Sequence, residues 1–363
     1  MATYLFYDTI RLNASAGGVL NVSEVLLQSM RGAPEHHVQP ISERHPRLYA
    51  AARRLKISRF ILDTLLYNVH LALGWLRGER VYSLFPNYFL PFSLLAPFGR
   101  HRDSIVVVHD VQYKSYPQYF TLLKRLWLDW NLHRLARSAA DVVFISRSSQ
   151  QDFERHFTRC AHAAVIFNPV DAGAVAHSAG SLIAPGGRYL IAAYHYYPHK
   201  NFEGILKLFV RMKRQGLVDY LDITGNGARE VERMVSAMAP AFRACVRHRG
   251  LVSRGELLRL YQGATAFISL STFEGFNLSA AEAATLGVPL LLSDLPVHRE
   301  LFAGYAFFIG NEFGGLGGIE RYLAHHERAR PTWSLSRACT PGAVAASYFT
   351  LKRNAASLAQ ATS

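Results

Sequence analysis

The sequence predicts an α/β protein made of two doubly wound domains with parallel sheets. Short apolar runs alternate with helical stretches along the chain, the pattern of repeated βα units. At 363 residues the chain is long enough for two separate cores. One segment interrupts the alternation. Asp171 to Arg188 is rich in Ala, Gly and Ser and contains Pro185-Gly186-Gly187, which reads as an interdomain linker.

The first set of strands is expected at Tyr4–Tyr7, Val81–Leu84, Ser104–Val108, Val142–Ile145 and Ala164–Phe167. The second set is expected at Tyr189–Ala193, Tyr220–Thr224, Val246–Arg249, Ala266–Ser269 and Pro289–Leu292. Helical runs fall at Leu20 to Met30, Phe202–Met212 and Ser279 to Leu286. A last helix is expected from Ala343 to Leu358, with Thr340-Pro341-Gly342 as a break ahead of it. The predicted domains are therefore 1–175 and 186–335, followed by a helical segment at 336–363. Met1-Ala2-Thr3-Tyr4-Leu5-Phe6-Tyr7-Asp8 reads as a first strand. It lacks the basic leader and long apolar segment of a signal peptide. No internal repeat or long low-complexity stretch is present.

Half the residues are hydrophobic and 18% are charged, so the chain is globular. No apolar run reaches the roughly 18 uncharged residues that a membrane-spanning helix needs. Cys160, Cys245 and Cys339 are scattered and form neither a metal spacing nor a disulfide framework. That fits a reducing cytoplasm, with all three as packing residues.

The net charge of +14 points to anionic partners. It gathers in the first half, at Arg44, Arg47, Arg53, Arg54, Lys56, Arg59, Arg77, Arg80, Arg100 and Arg102, then Lys124, Arg125, Arg134 and Arg137. Residues 47–77 interleave these charges with Leu48, Tyr49, Leu55, Ile57, Phe60, Ile61, Leu65, Leu66, Tyr67 and Trp75. This reads as one or two amphipathic helices. Either they lie on an anionic membrane, or they pack on a core and solvate a basic face. No nucleic-acid-binding motif accompanies the charge.

The residues that point to chemistry sit at strand ends. Glu274-Gly275-Phe276-Asn277-Leu278-Ser279-Ala280-Ala281-Glu282 follows a predicted strand and runs into a helix. It sets two carboxylates beside a helix N-terminus, a place that binds phosphate. Glu282 would lie about two turns along that helix. Two solvated glutamates favouring the helix dipole are the plain alternative. His109 and Asp110 end the buried run Val106-Val107-Val108, at the sheet edge where open α/β folds bind ligands. A structural histidine bonded to a local carbonyl is the alternative there. Gly17 and Gly18 follow the first strand and precede a helix, where backbone N–H groups are available. Lys200 ends Tyr194-His195-Tyr196-Tyr197-Pro198-His199-Lys200 ahead of a helix and is placed to neutralise a diphosphate. Gly225-Asn226-Gly227 forms a turn after another strand.

The stretch from Glu274 to Glu282 resembles the E-x7-E motif of retaining glycosyltransferases of family 4, proteins of the GT-B fold. The likeness continues through Gly287-Val288-Pro289, Ser293-Asp294 and Pro296-Val297-His298-Arg299-Glu300. It is strong from 189 to 302 and looser before 105. His109-Asp110, the Lys200-Asn201 loop, Gly225-Asn226-Gly227, Arg249-Gly250-Leu251-Val252-Ser253 and Ser15-Ala16-Gly17-Gly18-Val19 each match a family segment.

The resemblance implies two Rossmann-like domains facing across a cleft, with the C-terminal one holding the nucleotide. It implies that Glu282 accepts hydrogen bonds from ribose hydroxyls, while Glu274 meets the donor sugar. Lys200 and the N–H groups around Phe276, Asn277 and Leu278 would stabilise the leaving diphosphate. His109 would approach the sugar, and the Gly17-Gly18 loop the donor phosphates and acceptor. Gly225 would lie near the nucleotide. His195 stands where the family usually has an arginine. It donates one hydrogen bond and carries charge only if its pKa is raised.

The implied activity is retaining hexosyl transfer without metal, and no Asp-x-Asp motif occurs. No cofactor is expected beyond the nucleotide-sugar co-substrate. The 194–201 loop looks most like bacterial surface-polysaccharide mannosyl- and rhamnosyltransferases. A GDP-sugar such as GDP-mannose is therefore the favoured donor, and a UDP- or dTDP-sugar the alternative. The implied acceptor is a glycan or a polyprenyl-diphosphate-linked glycan, as in bacterial polysaccharide or O-antigen biosynthesis. The expected location is cytoplasmic, peripheral on the inner face of the plasma membrane. Two other classes stay open: a GT-B protein that binds or isomerises a sugar nucleotide without transfer, and a basic membrane- or nucleic-acid-binding module.

Overall fold

Six parallel strands form the sheet of the first of two units in the computed structural model of the chain. They are β1 (Ala2–Phe6), β2 (His36–Pro40), β3 (Val81–Phe85), β4 (Ser104–Val108), β5 (Asp141–Phe144) and β6 (Ala163–Val165). Their spatial order is β2-β1-β3-β4-β5-β6. The structure describes residues 2–12, 17–79, 81–93, 100–171, 187–193, 197–310 and 316–360, with the side chains of 17, 100 and 352–360 left aside. His195, Ser15, Ala16 and most of the expected linker lie outside the described residues.

The first unit comprises Met1–Pro169 and Ala338–Ser363; the second is Val170–Arg337. In the first, β4 is buried at every position because helices cover both faces of a parallel sheet. Leu5, Phe85, Val106, Phe144 and Phe153 meet in its core. The chain winds from β1 to β2 on one side and to β3 on the other, so the carboxyl ends of β1 and β3 flank a topological switch point.

The last helix, Pro341–Gln360, belongs to this unit. Pro341 does not break it. It stands at the first helical position, where a missing N–H costs nothing. Val344, Tyr348 and Phe349 are buried, and the Phe349 ring stacks 4.1 Å from His36.

The basic segment folds as two helices, Pro46–Arg54 and Arg59–Arg77. The second buries Leu62, Leu66, Tyr67 and His70 and ends at Gly78, whose φ of 64° suits a left-handed cap. Cys160 and Cys339 are buried and Cys245 is half-buried, all as free thiols. No described helix is long and apolar enough to cross a membrane.

The second unit repeats the design. Its strands are β7 (Tyr189–Ala193), β8 (Tyr220–Thr224), β9 (Val246–Gly250), β10 (Ala266–Ser269), β11 (Leu290–Ser293) and β12 (Phe307–Ile309). They are parallel, in the order β12-β11-β10-β7-β8-β9. Its core gathers Leu190, Phe209, Leu221, Ile268 and Leu291. Here the switch point lies between β7 and β10. Two strands, β2 and β12, are absent from the sequence expectation, and both are sheet edges.

Candidate active site

Lys200 and Glu274 leave the carboxyl ends of β7 and β10, the two strands that flank the switch point of the second unit. Open α/β sheets bind ligands at such points. The Thr272 amide donates to the His199 carbonyl at 2.7 Å, tying the two loops together. Lys200 Nζ then reaches Glu274 Oε1 at 2.7 Å. Ser271 Oγ donates to the same oxygen at 2.7 Å.

Asparagines set up both loops. Asn201 has φ 48° and its side chain accepts from the Gly204 amide at 3.2 Å, capping the helix Phe202–Arg214. A Cβ on Gly204 would come within 2.7 Å of that side chain, so the glycine gives the cap its room. Asn277 has φ 65° and caps the helix Leu278–Thr285, its Oδ1 accepting from the Ala280 amide at 3.3 Å. Asparagine tolerates this left-handed conformation better than most residues.

The Asn277 cap also fixes a tautomer. With Oδ1 at the helix amide, Nδ2 faces His298 Nε2 at 2.9 Å and donates to it. His298 must then carry its proton on Nδ1, which donates to the Ser293 carbonyl at 2.8 Å. Burial lowers the His298 pKa and keeps the ring neutral. Asn277 Nδ2 also reaches Ser269 Oγ at 3.2 Å, and Ser269 meets Ser271. Lys200, Glu274, Ser271, Ser269, Asn277 and His298 thus form one connected network.

The Glu274 side chain is only 10% exposed. Burial alone would push its carboxyl up, but the Lys200 charge and the bonds from Lys200 and Ser271 hold it below the ordinary value. It is a carboxylate beside a cation and a capped helix N-terminus. Neighbouring His199 is pushed down to about 4 by burial and by Lys200.

Glu282 lies along the same helix and is nearly fully buried, its side chain 4% exposed. Arg254 Nη1 donates to its Oε1 at 2.6 Å, and Arg254 Nη2 donates to the Asp171 carbonyl at 2.7 Å. Burial raises the Glu282 pKa, and Arg254 offsets part of that rise. Burial, and then the negative charge of Glu282, push the pKa of the buried Tyr261 hydroxyl up, and Ser279 and Arg254 offset part of that rise.

The remaining expected residues occupy separate places. Phe276 is a core side chain at 3% exposure, so its side chain serves packing. Leu278 begins the helix that Asn277 caps. Gly225 has φ 119° and is tied to β9, its N–H donating to the Gly250 carbonyl at 2.8 Å. In the first unit, His109 follows β4 and its Nε2–H donates to the Pro86 carbonyl at 3.0 Å. Burial lowers its pKa, so the ring is neutral and Nδ1 holds the lone pair. Gly17 and Gly18 already lie in the first turn of the helix Gly17–Arg31, and open space surrounds Gly18.

Arg254, Ser271 and His298 carry no role in the sequence reading. Arg254 opens a helix after the Ser253 cap, a signal of helix start and not of chemistry. His298 falls inside a matched motif, and only the fold reveals its bond to Asn277.

Residues 176–311 match the family described as glycosyl transferases group 1. The O-antigen chain mannosyltransferase B of Escherichia coli is 24% identical over 220 residues, spanning 58% of this chain and 56% of its own length. The O-antigen chain mannosyltransferase RfbU of Salmonella typhimurium is 23% identical over 241 residues, spanning 61% of this chain and 65% of its own. The match therefore covers less than two thirds of either relative. The sucrose-phosphate synthase structure from Thermosynechococcus elongatus superposes with a TM-score of 0.67 at 16% identity, over 99% of this chain and all of that one. The fold is GT-B. This GT-B chain resembles the O-antigen mannosyltransferases, and its matched segment contains Lys200, Arg254, Glu274, Glu282 and His298.

Proposed function

We propose that this GT-B protein is a retaining hexosyltransferase that takes its sugar from a nucleotide donor, with GDP-mannose favoured, for bacterial surface-polysaccharide synthesis. The observation that carries the reading is the part-buried Lys200–Glu274 pair beside the Asn277-capped helix. It puts a cation, a carboxylate and a helix N-terminus at one switch point, the set a sugar diphosphate needs. The two mannosyltransferase relatives support the sugar and the pathway class.

In this reading the diphosphate lies against Lys200 and the start of the helix Leu278–Thr285. Charge builds on the leaving diphosphate as the glycosidic bond breaks, and these fixed positive groups lower that barrier. Glu274 orients donor-sugar hydroxyls, and its negative charge favours an oxocarbenium-like centre. Glu282 accepts from the ribose hydroxyls, as acidic residues do in dinucleotide folds. His109, neutral with a lone pair on Nδ1, accepts from a sugar hydroxyl. The acceptor is a glycan, in the polyprenyl-linked class, and peripheral contact with an anionic membrane face belongs to the same reading.

The test is donor turnover. GDP-mannose, UDP-glucose and dTDP-rhamnose are incubated separately with the protein and nucleotide release is followed by mass spectrometry, with product anomers assigned by NMR. Release of GDP alone, lost in Glu274→Gln, with the donor's configuration kept in the product, is the expected result. Release of no nucleotide by the folded protein overturns the reading, and an inverted product overturns its stereochemistry.

A further inference from the structure

We propose that the first unit docks on an anionic lipid bilayer through an apolar surface shared by the helices Arg59–Arg77 and Leu122–Ala136 and the segment at Phe92. This deepens the peripheral contact named above by assigning its surface, and it is tested without any nucleotide sugar.

All but two of the large apolar side chains left exposed among the described residues lie in the first unit, between Leu48 and Trp130. Core packing does not explain them. The helix Arg59–Arg77 buries Leu62, Leu66 and Tyr67, yet Ile61 and Leu65, one turn apart, are 56% and 61% exposed. The helix Leu122–Ala136 buries Leu128, Leu132 and Leu135, yet Leu123, Leu126 and Trp130 are 79%, 57% and 50% exposed. Each helix is therefore apolar on two sides, one toward the core and one toward solvent.

The outward faces are contiguous. The Phe60 and Trp127 rings join the two helices at 4.6 Å. Asn68 donates to the Phe92 carbonyl at 2.9 Å, holding that half-exposed ring beside the first helix. The Arg134 guanidinium lies 5.4 Å from the Phe92 ring and 4.6 Å from the Trp130 ring, bridging them to the second helix.

Charge selects the occupant. Lys124, Arg125 and Arg134 stand on the helix Leu122–Ala136 and none makes an ion pair among the described residues. The two helices carry one carboxylate each. Asp63 is buried under Thr9, and Asp129 is paired with Lys114 and Tyr113. The surface is thus apolar and positive with no free negative group. A second copy would meet it with the same sign of charge, in a chain of net charge +14. Anionic headgroups meet it with the opposite sign, while leucines enter the acyl boundary and the indole sits at the headgroup level.

The test is sedimentation of the full chain with vesicles of phosphatidylcholine alone and of phosphatidylcholine with about 30% phosphatidylglycerol, at low salt and at about 0.5 M salt. The expected result is binding to the anionic vesicles, weakened by salt and at least about tenfold stronger than to neutral ones. Leu123→Glu with Leu126→Glu, and separately Lys124→Glu with Arg125→Glu, should each cut binding about tenfold with Tm unchanged, since Leu123, Lys124 and Leu126 are exposed and Arg125 is only half-buried. Absence of vesicle binding, or variants that bind as the wild type does, overturns the proposal. A dimer in sedimentation velocity that Leu126→Glu dissociates also overturns it, assigning the surface to a second copy. Nucleotide binding is measured on the same samples, so a lost bilayer contact is distinguishable from a failed donor site.

Discussion

Lys200 Nζ lies 2.7 Å from Glu274 Oε1 although 74 residues separate them. The bond spans the switch point, and the Thr272–His199 backbone bond holds its two loops in place. A part-buried pair of this kind depends on both partners. Lys200→Ala leaves the Glu274 charge uncompensated and should cost about 1–3 kcal/mol of stability. Adding Glu274→Ala should recover part of that loss, which a double-mutant cycle of denaturation midpoints measures. Strict additivity would show that the two groups are not coupled.

Asn277 does two jobs, capping the helix Leu278–Thr285 and fixing the His298 tautomer. Asn277→Gly keeps the left-handed backbone and loses the side-chain bonds; Asn277→Ala also strains the backbone. The alanine variant should therefore be the less stable of the two by about 1 kcal/mol. Equal stability by thermal melting would remove the backbone from the explanation.

Arg254 is the cation paired with buried Glu282, and it offsets part of the rise that burial gives the carboxyl pKa. In Arg254→Ala the Glu282 pKa, already raised by burial, rises further. Affinity for a nucleoside diphosphate should fall about tenfold at neutral pH and decline more steeply on acidification than in the wild type. Arg254→Lys should recover part of it. Titration calorimetry across pH checks this, and an unchanged pH profile in the alanine variant would contradict it.

Asp63 gives the first unit a pH signature. Burial pushes its carboxyl up from 3.8 to about 7, against the pull of the Thr9 bond. The folded state holds this proton more tightly than the unfolded one. Stability is thus full below 3.8, falls as pH rises toward about 7, and is level above. Asp63→Asn has no charge to bury, so its Tm should gain on the wild type between pH 5 and pH 8, by about 3 °C or more. A difference that stays flat with pH would contradict the assignment.

What the sequence made legible follows from where each element lies. β4, β10 and β11 are covered on both faces, so they read as unbroken apolar runs. β2 is His36-His37-Val38-Gln39-Pro40, an edge strand with only one neighbour, and so free to be polar and to end in proline. β12 has three residues, too few for a period. Lys200, Glu274 and Glu282 stood out because a local motif carries them. Arg254 and His298 did not, because their partners lie 28 and 21 residues away, and only the folded sheet brings them together.

The central claim is a nucleoside-diphosphate site built on Lys200, Glu274 and Glu282, and calorimetric titration of GDP, UDP and dTDP tests it most directly. The titrations are run on the wild type and on Glu282→Gln, with EDTA and then with magnesium. The account predicts that GDP binds in EDTA, more tightly than UDP or dTDP, and that Glu282→Gln weakens it at least about tenfold. A folded wild type that binds none of the three under either condition would contradict it.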